Sequence, residues 1–492
     1  MRSTIKIVIL LFFICTSMSG ASFPDMEKYM RQHALIWEQL PMQWNEGAFL
    51  GNGLVGMMVY ADSTLNALVF HLGRPDVTDH RKAPYRKTSI GTEEADKMVD
   101  FCRLDVGKML LFPEGKILSG TFYLDIYNAE LTGHLKTDKG DLTFHAYTPQ
   151  PEEVNIVEVS SGVPYRWKGI PGNPCSPRIR VFPHLKEKLK YKDNPAPVVN
   201  QKDKEGSWVQ SLLAGGDYAT YWKEVPGGKS RSVLYVSTAN EVPASSLSLA
   251  KAMKTVEATQ ITGTKLLKQK TRQWWNAYHE RSFLSIPDKK LENFYFIQMY
   301  KLATCSHPDG PAMDVMGTFF KLSPWPSFWW NLNIQLTYMP IGPANRMEQG
   351  KNFQRLMDEV FPSLVRSIEP CKIGDYTWAL QNYYMYLRYA GADWQDIKQQ
   401  VVPKALDAFA VFDKILCYKE NTWHLTHIES PEYEGFQKYN DSNYGLASLS
   451  WLLQTLIACH DRTSSTHPDY ARWKEILTRL APYPTNENGL MI

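Results

Sequence analysis

The spacing of apolar residues changes once along this chain, near residue 246. Upstream of that point apolar and polar residues alternate, for example over 122–127 and 142–147. A period of two places every second side chain on one face of a strand, so each run predicts a half-buried β-strand. Turn-forming Gly, Pro, Asn and Asp residues separate the runs. We therefore predict an antiparallel β-sandwich over residues 22–245.

Helical spacing begins near residue 246. The segment 246–286 is predicted to be a helical linker. From residue 287 the helices are longer and more apolar, and Pro362 is expected to kink or split one of them. Helical hairpins joined by aromatic-rich loops fit an (α/α)6 barrel over residues 287–492. Two apolar faces at helical spacing support this reading: Leu406, Phe409, Phe412 and Leu416, and then Leu446, Leu449, Leu453 and Leu456.

The N-terminus has the layout of a secretory signal peptide. An apolar run from Ile7 to Ile14 follows two basic residues and precedes several small ones. The run is too short to span a bilayer as a helix, although a membrane anchor is the alternative. We predict a signal peptide over 1–21, and hence a secreted or periplasmic protein without a membrane span after cleavage. Large residues precede Cys15, so a lipoprotein is ranked below plain export.

The charge balance argues against a nucleic acid or an anionic membrane as a partner. Lys and Arg number 54 and Asp and Glu 51, which leaves a net charge of +3, and no basic block stands out. His424 and His427 lie three residues apart without a further ligand cluster, so we expect no metal and no other cofactor. Aromatic residues make up 13% of the chain, which fits either a large aromatic core or a sugar-binding surface.

Four segments carry patterns that recur together in one family. Residues 44–60 read WNEGAFLGNGLVGMMVY, in which Gly-Asn-Gly predicts a tight turn before an apolar strand. Trp274 and Trp275 belong to the second segment, in the linker. The third reads PWPSFWWNLNIQLTYMP over 324–340, and the fourth spans 423–456 with Ser-Pro-Glu at 430–432. In this order the segments resemble glycoside hydrolase family 95, which includes α-L-fucosidases.

The resemblance implies a sandwich, a helical linker and an (α/α)6 barrel that hydrolyses glycosides with inversion. It assigns Glu432 as the general acid, and Asn331 and Asn333 as the amides that orient the attacking water. An amide suits that role because it both donates and accepts hydrogen bonds. Loop capping by the two Asn residues is the alternative. Tyr433 stands where the family's fucosidases carry Asn, which leaves the sugar open.

The chemistry of Glu432 can also be argued from its neighbours. Pro431 restricts the backbone ahead of it, and the loop lies between two apolar helices. A partly dry, aromatic setting raises the pKa of a carboxyl group, and the nearby Glu429 and Glu434 would act in the same direction. A glycosidase acid needs such a shift to be protonated near neutral pH. An exposed acidic loop with an ordinary pKa is the alternative.

Further residues are candidates for contacts with sugar. Trp side chains pack on the C–H faces of sugar rings, and His and Asp side chains hydrogen-bond hydroxyl groups. Part of the aromatic set would equally suit a core. Asp441 precedes an amphipathic helix, so we expect it to be the N-cap or an N-terminal acid of that helix, and a catalytic role for it stays open. The candidate substrate-binding residues are Trp325, Trp329, Trp330, Trp378, His424 and Asp375.

The predicted barrel is incomplete. Six hairpins need about 12 helices, and the sequence after residue 290 shows roughly half that number. The family's general base, an Asp, would lie beyond Ile492. We therefore expect weak or absent activity in this chain alone, or a separate C-terminal half that supplies the missing part.

The leading hypothesis is an exo-acting, α-L-fucosidase-like hydrolase of oligosaccharides or polysaccharides. One alternative is a related hydrolase of another sugar, such as α-L-galactose. Another is a carbohydrate-binding remnant that does not cleave. A phosphorylase also pairs a sandwich with an α/α barrel, but the sequence shows no Lys, Arg and His constellation for phosphate.

Overall fold

The structure is a computed structural model that describes residues 25–81, 97–242, 247–328, 332–429 and 437–489. The predicted signal peptide over 1–21 lies outside these ranges. Within them, no helix combines the length and the apolar character that crossing a bilayer requires.

Two antiparallel sheets occupy the described N-terminal part of the chain. Their strands are β1 (Leu35–Trp37), β2 (Ala48–Gly51), β3 (Gly56–Asp62), β4 (Ala67–Gly73), β5 (Lys108–Pro113), β6 (Ile117–Asp125), β7 (Glu130–Thr137), β8 (Gly140–Tyr147), β9 (Val154–Ser161), β10 (Tyr165–Ile170), β11 (Val198–Gln201), β12 (Glu205–Ser211), β13 (Asp217–Gly228) and β14 (Arg231–Glu241). The larger sheet has the order β1-β6-β7-β8-β9-β14-β13-β12-β11, and the smaller has the order β10-β5-β4-β3-β2. Most neighbours in both sheets are joined by short hairpins, as the closely spaced turn residues predict.

One apolar core fills the space between the two sheets. Phe70 of β4, in the smaller sheet, meets Phe144 of β8, in the larger sheet, with ring centroids 5.5 Å apart. On β6 the predicted alternation is confirmed, because Phe122 and Leu124 are buried and Tyr123 between them is exposed. Two antiparallel sheets that pack face to face in this way form a β-sandwich.

Helices dominate the chain after residue 247, and in the described part before that residue the α-helices are short. The helices are α1 (Met26–Arg31), α2 (Pro177–Val181), α3 (His184–Lys188), α4 (Ser248–Thr262), α5 (Thr264–His279), α6 (Lys289–Cys305), α7 (Asn333–Tyr338), α8 (Lys351–Glu359), α9 (Phe361–Ser367), α10 (Ile373–Tyr389), α11 (Trp394–Gln400), α12 (Val402–Phe412), α13 (Asn443–Thr463) and α14 (Tyr470–Thr478). Two small hairpins interrupt the helical part: β15 (Leu416–Lys419) with β16 (Thr422–Leu425), and β17 (Ile428–Glu429) with β18 (Lys438–Tyr439). Short 3-10 helices cover Trp44–Glu46, Lys97–Asp100, Met347–Gly350 and Pro370–Lys372.

The helices α4 and α5 pack on the outer face of the larger sheet. Ala252 and Val256 of α4 lie in one buried cluster with Tyr221 and Tyr235 of the sheet. Farther along, Trp275 of α5 belongs to the core of the sandwich itself. The segment predicted to be a helical linker is therefore helical over most of its length and packed against the sandwich, and its exact boundaries stay a prediction.

The helices from α6 to α14 share a second apolar core. The four leucines predicted to share one face of α13 are all buried. Pro362 is the second residue of α9, and only Val360 separates α9 from α8, so the predicted split is confirmed. The prediction for Leu416 is wrong, because α12 ends at Phe412 and Leu416 begins β15. Closure of a ring of six hairpins stays a prediction.

The Gly-Asn-Gly turn at 51–53 fixes the sandwich to the C-terminal end of α6. Asn52 is fully buried, and its side chain hydrogen-bonds the N–H groups of its own turn and the carbonyl groups of the loop at 149–152. The N–H of Gly53 donates to the Thr304 carbonyl oxygen at 3.0 Å. Gly53 has a φ of 81°, which favours glycine. The turn therefore has the structural role expected from the sequence, and it also joins the two parts of the chain.

Substituting Gly53 by alanine should destabilise the protein more than the same substitution at Gly263. Both glycines have a φ of 81°, so both variants carry the conformational cost of about 1–3 kcal/mol. A Cβ on Gly53 would also press on the backbone of Ser306 and His307, whereas nothing lies within 4 Å of a Cβ on Gly263. Urea denaturation of Gly53→Ala and Gly263→Ala measures the difference. Equal losses in the two variants would show that the turn does not pack on α6.

Candidate active site

A groove of about 220 Å³ runs between α10 and α13. Its walls carry Trp378 and Gln381 from α10 and Tyr444, Ser448 and Trp451 from α13. The spacings of three, four and three residues place each set on one face of its helix. The groove therefore presents aromatic rings beside amide and hydroxyl groups, a mixture that suits a sugar ring with its apolar faces and its hydroxyl rim.

Asp375 lies one turn before Trp378 on α10 and is only 5% exposed. The Tyr444 hydroxyl donates a hydrogen bond to its Oδ1 at 2.7 Å, which ties α10 to α13. Burial raises the pKa of Asp375 to about 7, and the negative charge of Glu429 acts in the same direction. The hydrogen bond from Tyr444 and the charge of Lys372 oppose the shift. This carboxyl group can therefore both donate and accept a hydrogen bond near neutral pH.

Glu429 brings a second buried carboxylate close to Asp375. It is the last residue of β17 and pairs with Lys438 of β18. The side chain of the preceding residue, Ile428, packs on Gly445 in the first turn of α13. The hairpin therefore lies against the N-terminal end of α13, the helix that carries Tyr444. Glu432, the predicted general acid, falls between the two paired strands in sequence and lies outside the described residues.

His424 and Asp441 form a hydrogen-bonded pair beside this hairpin. The Nδ1 atom of His424 lies 2.7 Å from Oδ2 of Asp441, and the other carboxylate oxygen accepts from the Leu425 N–H at 2.8 Å. The N-cap of α13 is Ser442, whose side chain accepts a hydrogen bond from the Gly445 N–H. The expectation that Asp441 is the N-cap is therefore wrong, whereas the alternative, an acid at the N-terminal end of the helix, fits its position one residue before the cap. Its carboxylate is turned back to the strand that carries His424 and fixes the orientation of that imidazole.

The segment with the predicted amide pair is attached to the same helices. Asn333 is the first residue of α7 and is exposed. Gln335 on that helix is fully buried, and its Nε2 donates to the Asp375 carbonyl oxygen at 3.0 Å. Asn382 of α10 in turn donates to the Gln335 carbonyl oxygen at 2.9 Å. Asn333 and Gln335 lie two residues apart on the helix, so their side chains point to different sides of it. The side chain of Gln335 therefore anchors α7, whereas that of Asn333 faces outward. Asn331 lies outside the described residues.

The predicted tryptophans divide between two places. Trp378 lines the groove, with its ring centroid 6.4 Å from that of Tyr444. Trp325 is 41% exposed and is not among the residues that line the groove. The guanidinium carbon of Arg178, in the sandwich part, lies 5.0 Å from the centroid of the Trp325 ring. Trp329 and Trp330 lie outside the described residues. The structure thus brings Asp375 together with Trp378, and His424 together with Asp441.

Of the residues that line the groove, sequence reasoning named only Trp378 and missed the others, among them Tyr444, Gln381 and Trp451. Their signal was present in the spacing, since 444, 448 and 451 share one face of α13 and 378 and 381 share one face of α10. Glu429 was noticed only as a neighbour of Glu432 in sequence. Its approach to Asp375 comes from the fold of the β17–β18 hairpin.

Among the described residues, no group of three or more His, Cys, Asp or Glu side chains could hold a metal ion.

Comparison with known proteins gives a likeness of fold. No protein-family model matches the sequence, and no curated protein matches it significantly. The structure is similar to a protein described as a kojibiose phosphorylase from the human microbiome, with a TM-score of 0.59 and 9% identity over 90% of this chain and 67% of that chain. At this identity the likeness shows the fold alone, which is compatible with several functions.

Two further solved structures give lower scores. A bacterial glucoamylase complexed with acarbose has a TM-score of 0.49 and 8% identity, over 91% of this chain and 69% of that chain. A family GH92 alpha-mannosidase from Bacteroides thetaiotaomicron has a TM-score of 0.31 and 8% identity, over 83% of this chain and 69% of that chain. Scores this low carry no argument about this chain.

Asparagine at position 375 should remove a pH dependence of stability. The unfolded chain loses the Asp375 proton near the ordinary pKa of 3.8, whereas the folded chain keeps it up to about 7. Between these values the folded state binds more protons, so the free energy of unfolding falls as pH rises through this window. Each pKa unit corresponds to about 1.36 kcal/mol, so Asp375→Asn should gain up to several kcal/mol over the wild type by pH 7.

Urea denaturation of both proteins across this pH window measures the effect. Asp203→Asn, at an exposed position in the loop before β12, is the matched control and should follow the wild type. Parallel stability curves for wild type and Asp375→Asn would show that Asp375 titrates as an ordinary exposed carboxyl group.

Proposed function

We propose that this protein is a glycoside hydrolase of the family 95 type that acts on glycans. The observation that carries the proposal is the groove formed by Trp378, Tyr444 and Trp451. Behind this surface a buried carboxyl group, Asp375, accepts a hydrogen bond from the Tyr444 hydroxyl. The paired strands β17 and β18, which lie on either side of the Ser-Pro-Glu segment in sequence, pack against α13, which forms one wall of the groove. Support also comes from the four ordered sequence segments and from the fold shared with a protein described as a sugar phosphorylase.

We assign the general acid to Glu432, which would protonate the leaving glycosidic oxygen. Asn331 and Asn333 would orient the water that attacks the anomeric carbon from the opposite face, which inverts its configuration. The proton that this water loses would pass to a carboxylate base, a role to which we assign no residue of this chain. Asp375, with its raised pKa, would hydrogen-bond a sugar hydroxyl both as donor and as acceptor, and Trp378 would pack on the ring. The preferred substrate is an α-L-fucoside at the non-reducing end of a glycan.

Phosphorolysis is the second candidate, and the fold likeness to a protein described as a kojibiose phosphorylase is the observation that favours it. Among the described residues that line the groove there is no Lys, Arg or His, which favours water over phosphate as the acceptor. Turnover of chromogenic glycosides with and without inorganic phosphate separates the two. Sugar released at the same rate in both solutions supports hydrolysis, whereas a sugar phosphate formed only with phosphate supports phosphorolysis.

A panel of chromogenic glycosides identifies the sugar. We expect turnover of the α-L-fucoside above that of the α-L-galactoside, which differs from it by one hydroxyl group. Preference for another sugar would leave the hydrolase proposal intact and would refute the fucosidase assignment.

Glu432→Gln should lower kcat by roughly 10² to 10⁴-fold, because a glutamine cannot donate the proton that the leaving oxygen needs. The substitution is nearly isosteric, so the thermal unfolding temperature should stay unchanged. Kinetics on the preferred glycoside, together with a thermal melt, measure both quantities.

Glu434→Gln is the matched control for that experiment, since it removes the same charge two residues farther along. We expect it to keep most of the wild-type activity. If Glu434→Gln loses activity and Glu432→Gln does not, the acid is misassigned. If the wild-type chain binds fucosylated oligosaccharides in calorimetry but turns over none, and Glu432→Gln binds them equally, the protein is a carbohydrate-binding remnant.

Asn333→Ala should lower kcat more than it raises KM, because an amide that orients water acts in the transition state rather than in substrate binding. Asn200→Ala, at an exposed position on β11, is the control and should change neither constant. A rise in KM with unchanged kcat would place Asn333 in substrate binding instead.

A further inference from the structure

A cavity of about 140 Å³ lies between the sandwich and the helical part. It is lined by different residues from those of the groove between α10 and α13. Because a water molecule occupies about 30 Å³ in the liquid, the cavity has room for several waters or for one small ring. Its walls include Asp76, Thr78, Phe101 and Arg103 from the sandwich and Asp314 and Phe328 from the helical part.

Arg103 is the unusual member of this cavity, because its side chain is only 1% exposed. Its Nη1 donates to Oδ2 of Asp314 at 3.0 Å and to the Gly317 carbonyl oxygen at 2.6 Å. Its Nε and Nη2 are buried and have no hydrogen-bond partner among the described residues. Buried N–H groups of a charged side chain are costly to leave unpaired. A ligand in the cavity with acceptor oxygens would accept hydrogen bonds from these N–H groups.

The charges around the cavity favour a neutral ligand. The charge of Arg103 is balanced by Asp314. Asp76 makes a two-point ion pair with Arg74, at 2.7 and 3.0 Å, and Arg74 also pairs with Glu153. Two cations thus face three carboxylates, so an anion would gain little here. The carboxylate oxygens can accept hydrogen bonds while Arg103 donates them, which suits a molecule with several hydroxyl groups.

The remaining walls are apolar. Phe101 and Phe328 supply aromatic surface, and Pro75, Pro311 and Ala312 supply aliphatic surface. Hydroxyl groups on a ring with apolar C–H faces match this combination of charged and apolar lining. The backbone N–H of Arg103 also donates to the Pro326 carbonyl oxygen at 2.6 Å, which attaches the main chain at Arg103 to the loop that leads to the predicted amide segment.

We infer that this cavity binds one neutral glycosyl unit, recognised by the guanidinium of Arg103 and by the carboxylates of Asp76 and Asp314. Binding at this place requires no bond cleavage, so the inference goes beyond the hydrolase proposal and does not depend on the role of Glu432.

Calorimetry on the full chain tests the inference, with methyl glycosides of fucose, galactose, glucose and mannose as probes. The titrations use the Glu432→Gln variant so that no probe is consumed. We expect at least one glycoside to bind. Arg103→Lys, which keeps the charge but loses the planar fork, should weaken that binding about tenfold or more. Ala312→Met, which fills the cavity without touching the ion pair, should weaken it at least as much.

Ala447→Met is the matched control, since it adds the same side chain at an exposed position in the groove between α10 and α13. It should leave the cavity binding unchanged. Loss of binding in Ala447→Met but not in Ala312→Met would place the ligand in the groove and overturn the inference. Thermal melts check that all variants fold. If Arg103→Lys does not fold, Thr78→Val, a change of nearly equal volume, replaces it.

Three other outcomes would also overturn the inference. One is the absence of binding for every glycoside up to millimolar concentration. Another is binding of inorganic phosphate or sulfate that Ala312→Met abolishes, which would make the site an anion site. The last is a crystal structure with saturating glycoside that shows only ordered water on Arg103. Failure of hydrolysis in the wild type, with glycoside binding that Ala312→Met removes, would refute the proposed function and leave this site standing.

Discussion

The hydrogen bond from the Tyr444 hydroxyl to Asp375 is the contact on which the candidate active site depends. It joins α10 to α13, two helices whose facing side chains form the groove. It also partly compensates the burial of a carboxyl group that has lost contact with water. Without this bond the carboxyl group would be buried at a higher cost, and the helices that carry Trp378 and Trp451 would lose one polar contact between them.

The sandwich contributes more than a separate support for the helices. Trp275 of α5 is buried in the sandwich core, and Asn52 fastens the turn that contacts α6. Arg103 reaches across the boundary to Asp314, and Arg178 lies under Trp325. Through these contacts the sandwich directly positions the loop that leads from Pro324 toward the predicted amides. A fold likeness that extends over 90% of the chain agrees with an architecture in which both parts belong together.

Local patterns in the sequence predict the elements well and their contacts poorly. Alternation on β6, the leucine face of α13 and the split at Pro362 follow from spacing and from the chemistry of proline, because each is decided within one element. Leu416 was misplaced because periodicity cannot show where a helix ends and a hairpin begins. Asp441 was misplaced because Ser442, one residue later, is an equally good cap.

The candidate site was predictable in part for the same reason. Trp378 and Asp375 were named from their residue types, but their partner Tyr444 is 69 positions away, and no local pattern connects the two. The pKa of Asp375 depends on burial and on Glu429, which only the fold brings close. Arg103 was not noticed at all, since a single arginine in a strand-rich region has no sequence signal for burial.

A crystal structure of the Glu432→Gln variant with a bound fucosylated oligosaccharide tests the central claim most directly. The account predicts a sugar ring against Trp378 in the groove between α10 and α13, with the side chain at position 432 within hydrogen-bond distance of the glycosidic oxygen. A sugar bound elsewhere, or a residue 432 side chain that points into solvent away from the groove, would contradict it.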